Sequence, residues 1–126
     1  MSAARILAVD DSPTVLDMIA AILESGGYEV ITASDGSEAL EVARTEVPDL
    51  ILLDVMLPKL DGYKVCRLLK YDQKYQHIPV IMLTAKAEEQ SMATGIRTGA
   101  DQYLTKPVEP EALLEAVAAE LARSRG

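Results

Sequence analysis

The chain has 126 residues, of which 49% are hydrophobic and 25% charged, with a net charge of −8. This is enough for one soluble domain with its own core, in the ordinary composition range. The acidic balance, without a basic cluster, excludes a chain that grips nucleic acid by itself; no apolar run approaches the ~20 residues that cross a bilayer, so no membrane partner is expected. The single cysteine, Cys66, rules out an internal disulfide and fits a reducing, cytoplasmic setting. The N-terminal run "MSAARILAVDD" carries one Arg and then acids, which is not a signal-peptide pattern.

In chain order, "RILAV" (5–9) has strand length and apolar content. Ser12 then Pro13 marks a helix start, a cap followed by proline at the first helical position. Val15, Met18, Ile19, Ile22 and Leu23 form an apolar stripe at helical spacing, and Gly26-Gly27 stops it. A second strand is expected over 28–33. Asp35-Gly36-Ser37-Glu38 resembles a capping box for a helix over 36–46. "DLILLD" (49–54) is the third strand, followed by Asp61 capping a helix over 62–71. "PVIML" (79–83) is the fourth strand, and a weaker helical pattern covers 87–98, ending at Gly99. "DQYLT" (101–105) is the fifth strand, and Leu113, Leu114, Val117, Ala118 and Leu121 stripe a last helix. The middle strands are continuously apolar, the pattern of a parallel sheet buried on both faces. Five β-α units therefore predict an α/β fold, doubly wound, with right-handed crossovers.

Such sheets bind ligands outside the carboxyl ends of their strands. The polar residues at those ends are Asp10 and Asp11, Asp54, Thr84 and Lys106. Clustered carboxylates repel one another, and a hard divalent cation removes that repulsion. Asp11 and Asp54 are natural oxygen ligands for Mg²⁺, Asp10 can serve directly or through water, and a backbone carbonyl just after Asp54 can add another. A hydroxyl (Thr84) and an ammonium (Lys106) beside such an ion suit a phosphoryl group, whose transfer rests on positioning and charge neutralisation. Asp54, ending the central strand, is the best candidate nucleophile, since carboxylates form aspartyl-phosphates.

Together "AVDDS" (8–12), "LLDVMLPKLDG" (52–62), "MLTA" (82–85) and "YLTKP" (103–107) resemble the receiver domain of bacterial two-component response regulators. The likeness spans about 5–121, so residues 1–126 are expected to form a single receiver domain. It implies a flavodoxin-like (βα)5 fold with strand order 2-1-3-4-5. It implies Mg²⁺-dependent phosphorylation (Mn²⁺ being the alternative ion) of Asp54 by a sensor histidine kinase or phosphotransfer protein. Asp10, Asp11, Asp54 and the Met56 carbonyl would then hold the metal. Thr84, Ala85 and Lys106 would bind the phosphoryl group, and the bond before Pro107 would be cis. Phosphorylation would draw Thr84 inward and turn Tyr103, remodelling the surface of the fourth helix, fifth strand and fifth helix for a downstream target protein or output domain. Met56 and Lys86 would tune dephosphorylation. Moving a two-state equilibrium from 1:99 to 99:1 takes about 5.5 kcal/mol. Hydrogen bonds to charged groups contribute about 1.5–3 kcal/mol each, so Thr84 and Lys106 together come near that value.

The remaining candidates have plainer readings. His77, the only histidine, sits in a polar loop, so any phosphohistidine belongs to a partner. Cys66, Met18, Met82 and Met92 read as packing, and Asp35 and Asp61 as caps. The Thr94, Gly95 and Thr98 of the fourth predicted helix are poor helix formers, which makes it the easiest helix to move. On this reading the chain is not an enzyme beyond its own phosphorylation and dephosphorylation. It ends just after its last helix and is expected to be a monomer or a phosphorylation-dependent dimer. The competing reading is a degenerate receiver used as a constitutive protein-binding module, against which the intact acids, Thr84 and Lys106 argue. A haloacid dehalogenase type of phosphatase would need Asp-x-Asp where this chain has adjacent acids. A flavin carrier would need a Ser/Thr/Gly-rich loop where this chain has "DDSPTV".

Overall fold

The computed structural model of the chain describes residues 3–84 and 99–125. In order these form β1 (Arg5–Val9), α1 (Pro13–Ser25), β2 (Glu29–Ala33), α2 (Gly36–Glu46), β3 (Leu50–Asp54), α3 (Gly62–Lys70), β4 (Val80–Thr84), β5 (Gln102–Thr105) and α4 (Pro110–Arg125). The helix expected over 87–98, with Ala85 and Lys86 before it, lies outside the described residues.

The five strands make one parallel sheet in the order β2-β1-β3-β4-β5, a flavodoxin-like α/β arrangement. β3 is central, and every residue of β3 and β4 is buried. That burial is why both read as unbroken apolar runs. Side chains alternate along the strands and divide the core in two. Leu7, Val9, Ile51, Leu53 and Met82 pack with α2 and α3 on one face. Ile6, Ala8, Leu50, Leu52, Ile81 and Leu83 pack with α1 and α4 on the other. β2 and β5 are the edges and are only partly buried.

Three helices start on side-chain caps. Ser12 Oγ accepts from the Val15 N–H at 3.3 Å, Asp35 from Glu38 at 2.8 Å and Asp61 from Lys64 at 3.0 Å. The capping box at α2 is displaced by one residue: the Glu38 carboxylate accepts from the Ser34 N–H at 2.7 Å, upstream of the cap itself. Two helical stripes also differ from their sequence reading. The buried face of α1 is Leu16, Ile19 and Leu23, while Met18 is 46% exposed. Two positions on from Leu16 is just over half a helical turn, so Met18 faces outward and is not a packing residue. In α4 the buried set is Leu113, Ala116, Val117, Glu120 and Leu121, and Ala118 is exposed.

Asp35 makes a testable case. Its carboxyl is held below the ordinary value of 3.8, first by the Glu38 N–H, and the nearby Lys59 charge adds to this against desolvation. A depressed folded pKa stabilises above the unfolded value, and that stability is lost as pH falls through the folded value. Asp35→Ala is therefore expected to lower Tm at pH 7, with the gap to wild type closing below the ordinary 3.8. Melting curves across that range check it, and equal Tm values at pH 7 would mean the cap contributes nothing.

Candidate functional site

Asp10, Asp11 and Asp54 meet at the carboxyl edge of the sheet, and one carboxylate oxygen of each lies within 4.8 Å of the others. Each arrives there for a local reason. Asp54 is the last residue of the central strand and is 5% exposed. Asp10 follows β1, its N–H bonded to the Ala33 carbonyl at 3.2 Å, and one of its oxygens accepts the Ser12 N–H at 3.0 Å. Asp11, next in the same turn, is exposed.

Lys106, just past β5, reaches into this group. Its Nζ lies 2.8 Å from Asp10 Oδ2 and 3.1 Å from Asp54 Oδ2. Its N–H also donates to the Thr84 carbonyl at 2.8 Å, and the Lys106–Pro107 peptide is cis. Burial raises the Asp54 pKa above 3.8; Lys106 opposes this, Asp10 reinforces it, and the net shift stays upward. Lys106 is also raised, since its bonds to Asp10 and Asp54 outweigh the lowering by desolvation. The two partners thus move the same way for different reasons. The site holds more buried negative charge than one lysine offsets.

Thr84 ends β4 and is 1% exposed, and its Oγ1 has no hydrogen-bond partner among the described residues. A buried hydroxyl left unbonded is costly and calls for an explanation. Tyr103 pairs with Met82 across the β4–β5 ladder and rests against the core beneath α3. Its hydroxyl is likewise buried without a partner among the described residues. Burial, with Cys66 and Tyr63 adding, pushes its pKa up from 10.0 to about 12. A raised folded pKa gives stability that is complete below the unfolded value and is lost as pH rises through the folded one. In a spectrophotometric titration, wild type should keep one phenol neutral between pH 10.0 and about 12, and Tyr103→Phe should lose that fraction. Identical titrations would contradict the burial assigned to this hydroxyl.

The loop from Val55 to Asp61 had only Met56 and the Asp61 cap marked from sequence, yet it is the most tightly braced part of the site. The Met56 N–H donates to Asp54 Oδ1 at 3.2 Å, and the Met56 side chain is 67% exposed. A Cβ at Gly62 would lie 2.2 Å from the Asp54 carbonyl oxygen, and one at Gly36 would lie 1.7 Å from that of Leu60. Only glycine permits either approach. Gly36 also donates to the Pro58 carbonyl at 3.3 Å, and Lys59, at φ 67, sits 3.5 Å from Asp35. The start of α2 thus holds the loop that leaves Asp54. The sequence did carry a signal: an Asp-Gly pair opens both α2 and α3, and glycine has no helical reason to stand at a first helical position. Of the expected residues, Asp10, Asp11, Asp54 and Lys106 meet, and Thr84 is tied to Lys106 through its backbone carbonyl; Ala85 and Lys86 lie outside the described residues.

Known proteins resemble this chain in sequence and fold. The sequence model of the response regulator receiver domain matches residues 6–118. The chain is 52% identical over 120 residues to the alkaline phosphatase synthesis transcriptional regulatory protein PhoP of Bacillus subtilis, covering 95% of this chain and 49% of that protein. It is 44% identical over 119 residues to protein PilH of Pseudomonas aeruginosa, covering 94% of this chain and 98% of PilH. The chain spans about half the length of PhoP and of several other curated relatives it matches. The solved structure of a CheY-like receiver domain protein from Methanospirillum hungatei superposes with a TM-score of 0.91 at 34% identity, covering 98% of each chain. No described helix is long and apolar enough to cross a membrane. Sequence, strand order and the acidic edge agree, and this chain belongs to the response regulator receiver domain family.

Proposed function

We propose that residues 1–126 form one receiver domain, with its core at about 5–121, that acts as a phosphoacceptor switch. Asp54 accepts a phosphoryl group from the phosphohistidine of a sensor histidine kinase or phosphotransfer protein. The observation that carries this reading is the meeting of buried Asp54 with Asp10, Asp11 and Lys106 from distant parts of the chain, at the strand edge that ends in the Thr84 hydroxyl.

The donors are all oxygen and acidic, and Asp54 carries a raised pKa that a second cation would relieve, so the residues fit Mg²⁺ or Mn²⁺. Asp10, Asp11, Asp54 and the Met56 carbonyl would hold it. When bound, the ion supplies positive charge that offsets both the carboxylates and the incoming phosphoryl oxygens. Asp54 acts as the nucleophile: one of its oxygens bonds to phosphorus as the P–N bond to the donor imidazole breaks. The imidazole leaves with that bond's electron pair and takes a proton from solvent. Lys106 turns from the carboxylates to a phosphoryl oxygen. The Thr84 hydroxyl donates to another, which gives this buried group the partner it lacks among the described residues. Ala85 joins it in binding the phosphoryl group. The movement of Thr84 and Tyr103 reshapes the surface of segment 87–98, β5 and α4, which a target protein or output domain reads. Met56, exposed at the mouth, and Lys86 govern water access and so the lifetime of the phosphorylated state.

The test is intact-mass spectrometry after incubation with acetyl phosphate. One phosphoryl group should be added with Mg²⁺ and none without it. A folded protein that binds Mg²⁺ yet gains no mass would be charged only by its own kinase. A folded protein with neither binding nor gain would leave the switch reading without support and favour a constitutive binding module.

A further inference from the structure

At the edge of the sheet opposite Asp54, the last turns of α2 and α3 and the loop after α3 border an open groove of about 660 Å³, a surface for side chains of a partner rather than a closed cavity. Its walls carry three cations, Arg44, Arg67 and Lys74, two exposed apolar side chains, Leu68 at 45% and Tyr71 at 73%, and one acid, Asp72. The sequence shows no basic cluster, because these cations lie as far as thirty residues apart. Folding assembles one.

Most of the other described cations are paired with an acid, the exposed Lys64 of α3 excepted. Arg5, Lys59, Lys70, Lys106 and Arg123 each have a carboxylate partner. Arg44, Arg67 and Lys74 have none among the described residues, in a chain with eight more acids than bases. Asp72 is engaged locally, its carboxylate accepting the Lys74 N–H at 2.9 Å. Cations at helix C-termini complement the helix dipole, which accounts for the sign of Arg44 and Arg67. It does not account for Lys74, beyond α3, or for an aromatic ring left in water beside all three. Arg and Tyr around an apolar centre are the residues that dominate protein interfaces. The groove is also preformed: Lys70 Nζ holds the Ile78 and Gln76 carbonyls at 2.8 and 3.2 Å, which pins the loop that makes one wall.

We propose that this groove docks an acidic protein segment with an apolar anchor residue, its carboxylates on Arg44, Arg67 and Lys74 and its anchor against Leu68 and Tyr71. It lies at the far edge from Asp54, so the contact forms independently of phosphorylation and leaves the switch surface free.

The test titrates the isotope-labelled chain with a synthetic Asp/Glu-rich peptide carrying one central Leu, followed by amide chemical shifts. Shifts should gather at Arg44, Arg67, Leu68, Tyr71 and Lys74. The Arg44→Glu/Arg67→Glu variant should weaken the peptide about tenfold, since like charges then face each other. It should accept phosphoryl groups from acetyl phosphate as wild type does. In ~1 M NaCl, where the Debye length is about 3 Å, the shifts should collapse. Three results would overturn the proposal. One is no clustered shift at about 1 mM peptide. Another is the same shifts with inorganic phosphate alone, which would make this a small-anion site. The third is equal binding of a peptide whose Leu is replaced by Ser, which would remove the apolar anchor.

Discussion

Asp54→Asn is expected to take up no phosphoryl group from acetyl phosphate and to melt higher than wild type in the absence of divalent metal. The two effects share one cause. In wild type, burial is the largest influence on the Asp54 carboxyl, Asp10 adds repulsion, and Lys106 offsets only part of the sum. For a group with a raised folded pKa, stability is complete below the unfolded value and falls as pH rises through the folded one. At pH 7 the ionised carboxylate therefore weakens the fold that presents it. Asn keeps the shape and can still accept the Met56 N–H, while Lys106 keeps its 2.8 Å contact with Asp10. The gain should be on the order of 1 kcal/mol, about 4 °C in Tm. Acid should erase it, because protonated Asp54 no longer differs in charge from Asn. Mass spectrometry and calorimetry at pH 7 and at acid pH are the measurements. A variant that still gains phosphoryl mass would move the acceptor elsewhere, and one that melts lower at pH 7 would mean the Lys106 contact outweighs desolvation.

Lys106→Met should act in the opposite sense. Without the ammonium, Asp10 and Asp54 face each other with their side chains only 2% and 7% exposed. Removing one partner of a fully buried pair costs about 3–5 kcal/mol, but the lysine side chain is 31% exposed, so a loss of about 1–3 kcal/mol is expected at pH 7. The pH dependence has a definite sign. Loss of the lysine raises the Asp54 pKa further, so the deficit narrows as pH falls and that carboxylate takes up its proton. Mg²⁺ should also restore more stability to the variant than to wild type, because it supplies the missing counter-charge. Urea melts with and without Mg²⁺ at two pH values decide the matter. A variant as stable as wild type at pH 7 would show that solvent already screens the two acids.

How much of this was legible in advance depends on how far apart the interacting groups lie. The caps at Ser12, Asp35 and Asp61 could be read because each side chain reaches an N–H only three residues on. The buried strands 50–54 and 80–84 announce themselves because burial on both faces demands apolar residues throughout. β-α alternation then implies a parallel sheet with Asp10, Asp11, Asp54, Thr84 and Lys106 at one edge, so the candidate residues could be named before their geometry was known. Strand order was not readable from pattern, only from family likeness, since neighbours in a parallel sheet pair across whole helices. Tertiary structure alone decided that Lys106 spans Asp10 across 96 residues, that Gly36 lies against the Leu60 carbonyl, and that Glu38 reaches Ser34. It also turned Met18 outward, buried Glu120, and drew Arg44, Arg67 and Lys74 into one groove. These features depend on how each helix is rotated and docked on the sheet. Docking is set by the packing of many side chains at once, which no local stretch of sequence encodes.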